Sequence, residues 1–223
     1  MSFTPLLDGR PFPHPLGKIA CVGRNYAAHA AELNNPVPET PLLFLKPATS
    51  AADLAAPLRL PHGRGSVHHE LELALLIGAP LTAATPGQAR AAIAGLGLGL
   101  DLTLRDVQEQ LKKQGHPWER AKAFDGSYPV SPFIAADGID PQPLQLQLWR
   151  NGQLQQAGST AQMLFPVLDL LCEMSRAFTL LPGDIVSTGT PAGVGPLQSG
   201  DRLTLLLGRE QAGDLIRVET TVM

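Results

Sequence analysis

Two carboxylates stand at the mouth of a segment too apolar to lie on a surface. Glu70-Leu71-Glu72 runs straight into Leu73-Ala74-Leu75-Leu76-Ile77, and on a strand residues i and i+2 share a face, so both acids aim the same way. An apolar run of this length reads as a strand over 70–77 entering the interior. Buried carboxylates are costly unless cations or a metal ion answer them. The fold must therefore bring a counter-charge to this point. Asp101 ends a second apolar strand, expected over 95–102, where a polar residue would sit at the mouth of a site and offer a third oxygen. Three carboxylates without neighbouring cysteine ligands favour a hard ion, Mg2+ or Mn2+, over zinc. The adjacent His68 and His69 do not match the spacing of tetrahedral zinc motifs. They read as surface or hydrogen-bonded strand histidines.

The rest of the pattern sets the class. Strands are expected at 18–22, 42–46, 144–149, 153–156, 185–187, 201–207 and 215–222, and helices at 25–33, 85–94, 104–113 and 163–176, with a long loop over 47–66. Asn151-Gly152 is a hairpin signal between two of the strands. A few helices among many short strands, without regular strand–helix alternation, argue for an α+β fold. No linker composition interrupts the chain, so one domain over 17–223 follows a proline-rich arm at 1–16.

Charge and apolarity exclude whole classes of partner. With 44% apolar residues and a net charge of -3 over 223 residues the chain is globular, and it lacks the basic patch that binding to nucleic acid or an anionic membrane requires. Its longest apolar runs, such as 73–77 and 203–207, fall far short of the roughly 18 residues that cross a bilayer. The N-terminus has no basic segment leading an apolar one, and the two cysteines, Cys21 and Cys172, form no C-x-x-C pair. A cytoplasmic protein with reduced thiols is the expectation.

Other side chains could carry chemistry. His29 and Glu32, three apart on the expected helix, share a face, which suits either a base with its orienting acid or an ordinary exposed pair. Lys122, a lone cation amid Ala121, Ala123 and Phe124, could snorkel to solvent or stabilise a developing enolate. The loop 188–195 (TGTPAGVG) is rich in glycine, and its N–H groups could cradle a carboxylate or oxyanion. It is neither a dinucleotide fingerprint nor a P-loop.

Six blocks, CVGRNYAAHAAEL (21–33), LFLKP (43–47), HHELEL (68–73), GLDLTLRDVQ (99–108), AKAFDG (121–126) and GDIVSTGTPAGVG (183–195), together resemble the fumarylacetoacetate hydrolase family, in its acylpyruvate hydrolase and oxaloacetate decarboxylase branch. The resemblance implies a layered mixed β-sheet roll with a few short helices, assembled as a homodimer. It implies that Glu70, Glu72 and Asp101 bind Mg2+ or Mn2+, and that His29 and Glu32 form a dyad on a mobile lid helix. Lys122, Arg105, Gln108 and Thr190 would contact the 2-oxo-acid end of a small substrate, with variable loop residues such as 34–40 at its far end. The activity it implies first is metal-dependent hydrolysis of the C–C bond of acylpyruvates, such as acetylpyruvate or fumarylpyruvate, to pyruvate plus an acid. The alternative is oxaloacetate decarboxylation, or isomerisation of a 2-oxo/2-hydroxy dicarboxylic acid.

Overall fold

Alternating leucine and glycine build the centre of the molecule. In the computed structural model, which describes residues 3–210 and 213–223, the strands Leu71–Ile77 and Ile93–Leu100 pair antiparallel with Leu71 opposite Leu100 and Glu72 opposite Gly99. Leu71, Leu73, Leu75 and Ile77 join Leu96, Leu98 and Leu100 in one core. The opposite face carries Ala74 and Leu76 into a second core with Ile19, Tyr128, Phe133 and Ile185. The glycines between the leucines make room there. A Cβ on Gly99 would lie 2.3 Å from the Tyr128 hydroxyl oxygen, and one on Gly97 would lie 2.9 Å from the Phe133 ring.

This pair is the middle of an eight-stranded sheet whose order runs Leu42–Pro47, Lys18–Gly23, Ile185–Ser187, Leu71–Ile77, Ile93–Leu100, Tyr128–Val130 and Ala51–Asp53, with Ile134–Ala135 also pairing to Ile93–Leu100. It is mixed: Lys18–Gly23 runs parallel to Ile185–Ser187 and antiparallel to Leu42–Pro47. An antiparallel four-stranded sheet, Gln153–Ser159, Gln145–Arg150, Arg202–Arg209 and Gly213–Thr221, lays Leu146, Leu148, Leu203, Leu205 and Leu207 on the first core. Short α-helices, α1 (Ala27–Glu32), α2 (Pro86–Ala92), α3 (Arg105–Gln114), α4 (Glu119–Lys122) and α5 (Val167–Ala177), fill the connections. The expected α+β class holds. Among the described residues no helix is long and apolar enough to cross a membrane.

Several boundaries shift for local reasons. The expected loop over 47–66 contains a 3-10 turn and the strand Ala51–Asp53, which is only three residues long and pairs parallel to Tyr128–Val130. Such strands are too short to show a period of two. The helix expected from 163 begins at Val167, after Pro166, and α1 is shorter than its pattern. α4, absent from the expected elements, carries Lys122 at its last position. The N-terminal arm docks: Leu6–Leu7 and Arg10–Pro11 form a hairpin, and Leu7 bridges to Phe133. Cys21 and Cys172 are buried and free.

The packing of Tyr128 over the glycines gives a direct test. Gly99→Ala is expected to destabilise the protein by about 1–3 kcal/mol, because the added methyl overpacks a site with no slack. Denaturant unfolding measures it, and an unchanged midpoint would contradict the close approach.

Candidate active site

The central strand pair places three carboxylates together. Asp101 follows Leu100 directly, and its N–H donates to the Glu70 carbonyl at 2.9 Å, which extends the ladder and sets Asp101 opposite Glu70. Glu70, Glu72 and Asp101 are all buried, and each offers one oxygen within 4.8 Å of the other two. This donor set, all oxygen with no sulfur or imidazole, fits a hard divalent ion. Asp101 Oδ1 accepts no hydrogen bond of good geometry, although Lys46 Nζ lies 2.7 Å away.

Three cations answer them. Lys122 Nζ reaches Glu70 at 2.7 Å and Asp101 at 2.6 Å, Arg105 donates to Glu70, and Lys46 faces Asp101. Lys46 comes from the strand Leu42–Pro47, is fully buried, and donates to the carbonyl and hydroxyl of Ser127 at 3.0 and 3.1 Å. Burial pushes the Glu70 carboxyl upward, but Lys122 and Arg105 outweigh it and hold the group below the usual carboxylate range. Burial works against the Lys122 ammonium as well. Asp101 and Glu70 overcome that and hold it above its ordinary value. Glu72, next to Asp101 and farther from help, is pushed up to about 8 by burial and by that neighbour, with Ser187 pulling the other way.

The glycine-rich loop does cradle carboxylates, and both belong to the protein. Gly189 N–H donates to Glu72 at 2.7 Å, and Ser187 adds its hydroxyl. Gly189 has φ +95 and a Cβ there would meet Asn25 Cβ at 2.6 Å, so glycine is required. Farther along, Gly193 N–H donates to Glu32 at 3.0 and 3.2 Å. Glu32 in turn lies 3.3 Å from Nδ1 of the buried His29 on α1. The i,i+3 pair is therefore anchored to the same loop that holds Glu72.

His29, Glu70, Glu72, Asp101, Arg105, Gln108, Lys122 and Thr190 all line one cleft, and Glu32 and Lys46 are not on its wall. Gln108, on the same face of α3, accepts from Arg105 at 2.7 Å. The Thr190 hydroxyl is committed inside the fold, donating to Leu71 O and accepting from Gln156 Nε2, each at 2.8 Å. Of residues 34–40 only Asn35 reaches the wall, joined there by Arg24 and Lys112. His68 and His69 are absent from it. His69 is buried against Gln156 at 2.9 Å, and burial lowers the His68 pKa to about 4.

Lys46, Gln156, Asn25, Arg24 and Lys112 are the residues that sequence reasoning did not single out. Gln156 spends its whole amide on structure, accepting from His69 and the Leu71 N–H and donating to Thr190 and the Pro191 carbonyl. Asn25 does the same between Thr188 and Phe165.

Comparison with known proteins places this geometry. Residues 18–222 match the model of the fumarylacetoacetate (FAA) hydrolase C-terminal family. The chain is similar to the oxaloacetate tautomerase YcgM of Escherichia coli, at 55% identity over 89% of this chain and 91% of that protein. A crystal structure of a putative fumarylacetoacetate isomerase/hydrolase from Oleispira antarctica superposes with a TM-score of 0.96, at 54% identity, covering 99% of this chain and 100% of the other. The fumarylpyruvate hydrolase of Pseudomonas aeruginosa, solved in complex with Mn2+ and pyruvate, superposes at 0.90 with 34% identity, over 100% of this chain and 96% of that one. The layered mixed-sheet roll expected from the sequence is thus the shared fold.

The raised Glu72 pKa makes metal-free stability depend on pH with a definite sign. Its folded value, about 8, exceeds the ordinary 4.5, so the neutral group contributes fully below pH 4.5 and that contribution is lost as pH rises through 8. Unfolding in the presence of a chelator is expected to show stability falling across this window, less so in Glu72→Gln. Added Mg2+ is expected to reverse the fall in the wild type and not in the variant, since the ion takes the place of the proton. A flat wild-type profile in chelator would contradict it.

Proposed function

The chain belongs to the fumarylacetoacetate hydrolase family, and we propose that it is a divalent-metal-dependent tautomerase of oxaloacetate, moving a proton between the enol oxygen at C2 and the carbon at C3. One observation carries the reading. Three buried carboxylates are offset by three buried cations, Lys46, Lys122 and Arg105, so a divalent ion among them leaves the inner site positive and calls for an anionic substrate. A 2-oxo dicarboxylate supplies that charge. The high identity to a protein named oxaloacetate tautomerase supports the same choice.

Glu70, Glu72 and Asp101 would hold Mg2+ or Mn2+, which when bound supplies Lewis-acid polarisation of the 2-oxo oxygen. Arg105, with Gln108 fixing its guanidinium, binds the C1 carboxylate. Lys122, kept charged by Asp101 and Glu70, offsets the negative charge that develops on the C2 oxygen in the enolate. His29 removes the proton from C3, or delivers it there in the opposite direction, and Glu32 orients its ring. Thr190, its own proton given to Leu71 O, closes the side of the cleft. The enol O–H proton leaves as C3 gains one, so the reaction is balanced without water.

Hydrolysis of acylpyruvates, the first expectation from the sequence, is supported less directly, by the more distant fumarylpyruvate hydrolase. The reading includes a homodimer: Leu42–Pro47 is an edge of the large sheet and Leu45 on it is exposed, an edge that needs cover. Sedimentation is expected to give twice the 23.6 kDa chain mass, and a monomer at micromolar concentration would refute that part.

The activity test follows enol oxaloacetate, fumarylpyruvate and acetylpyruvate on one Mg2+-loaded preparation, above the uncatalysed rates. Oxaloacetate tautomerisation is expected to have the highest kcat/KM, and His29→Ala to lower it about 10²–10⁴-fold, the usual contribution of a positioned base. Faster C–C cleavage of either acylpyruvate would overturn the assignment.

A further inference from the structure

At the inner end of the cleft Arg105 and Lys122 are paired with acids, and at its outer end the cations are not. Arg105, Gln108 and Lys112 stand at i, i+3 and i+7 on α3 and all line the cleft, which puts Lys112 about 10 Å farther along the helix axis than Arg105. Arg24 lines the same wall from just beyond the strand Lys18–Gly23. Its backbone is left-handed, at φ 59, a conformation that non-glycine residues adopt at a cost. Both side chains are half-buried. Among the described residues neither forms an ion pair with an acid, while every other cation on the wall does.

Two cations on one wall of a partly buried cleft repel. Burial and the nearby Arg24 and Arg105 hold the Lys112 pKa below its ordinary value, and the exposed Glu109 offsets them only in part. Burial lowers Arg24 as well. Lys112 is held in place all the same, because its ammonium donates to Asn35 Oδ1 at 2.6 Å. Asn35 is neutral, so it fixes the position of the cation without cancelling the charge. The arrangement holds two positive groups ready for an anion that the protein does not supply.

We propose that Arg24 and Lys112, the latter positioned by Asn35, bind the second carboxylate of the substrate and make the enzyme selective for dicarboxylic over monocarboxylic 2-oxo acids. The inference rests on the assignment of the inner cleft to the 2-oxo-acid end. It places the specificity determinant in the GRNY segment and on α3, with one contribution from the variable 34–40 loop.

The experiment compares acids that differ only in the second carboxylate. Oxaloacetate turnover is set against proton exchange at C3 of 2-oxobutanoate, in the wild type, Arg24→Met and Lys112→Met. The diacid-to-monoacid ratio of kcat/KM is expected to fall roughly 10–100-fold in each variant, as for loss of a charge-assisted hydrogen bond, chiefly through KM. Lys112→Arg is expected to restore most of it. Calorimetric binding of 2-oxoglutarate and 2-oxopentanoate to the Mg2+-loaded proteins reads the same preference without turnover. A wild type that binds the diacid better but turns over no oxaloacetate would sink the tautomerase and leave the clamp standing. Variants that keep the wild-type ratio, by turnover or by binding, overturn the clamp.

Discussion

Burying three acids within reach of one another is the constraint around which this molecule is organised. In a low-dielectric interior each carboxylate loses its hydration, and like charges at this distance add to the cost. Cations drawn from three separate elements repay it: Lys46 from the strand Leu42–Pro47, Arg105 from α3 and Lys122 from α4. Those elements surround the central strand pair, so the charge requirement is also a requirement on the topology. A sheet that failed to place Leu42–Pro47 on the same side of Leu71–Ile77, with Lys18–Gly23 and Ile185–Ser187 between them, would leave Asp101 without Lys46.

The balance is not uniform. Glu70 has two cations and stays ionised, whereas Glu72 has a hydroxyl and one backbone N–H and favours its proton at neutral pH. That asymmetry matters to chemistry. A site whose acids were all neutralised by lysine and arginine would have little free-energy gain left from a metal, while one poorly compensated carboxylate keeps the attraction for an ion. Glu72 is thus tuned by its lack of a paired cation, held instead by the Ser187 hydroxyl and the Gly189 N–H.

How much of this can be read from residues alone follows the range of each interaction. Glu70 and Glu72 share a face because of the two-residue period of a strand, which is local and legible. That Asp101 lies opposite Glu70 depends on the register of two strands about thirty residues apart in sequence, and only the apolar GLGLGL run hinted at it. Resemblance to the family supplied what local pattern could not. A lysine after Leu-Phe-Leu usually snorkels outward, and nothing in the sequence near Lys46 signals that it turns in toward Ser127 and Asp101. Gln156, in a strand of alternating polar residues, was equally silent. Arg24, between an expected strand and helix, and Lys112, near the end of an expected helix, carry no local signal that they share one cleft wall.

The same limit explains why the reaction was harder to read than the site. Hydrolysis, decarboxylation and tautomerisation of 2-oxo acids all pass through an enolate stabilised by positive charge, so Lys122 and the carboxylate cluster serve each of them equally. A His–Glu dyad is equally ambiguous, because a base that takes a proton from water can take one from carbon. What separates the reactions is the identity of the group that stands beside His29 when the substrate is bound. In hydrolysis that group is a water held against a distal carbonyl. In tautomerisation it is C3 itself, which demands that the substrate be pinned at both ends so the carbon meets the imidazole. Excess positive charge at the far wall, from Arg24 and Lys112, is the feature of this cleft suited to pinning the second end. Reaction choice in such a site is therefore a matter of where the substrate is held, with the catalytic groups themselves unchanged.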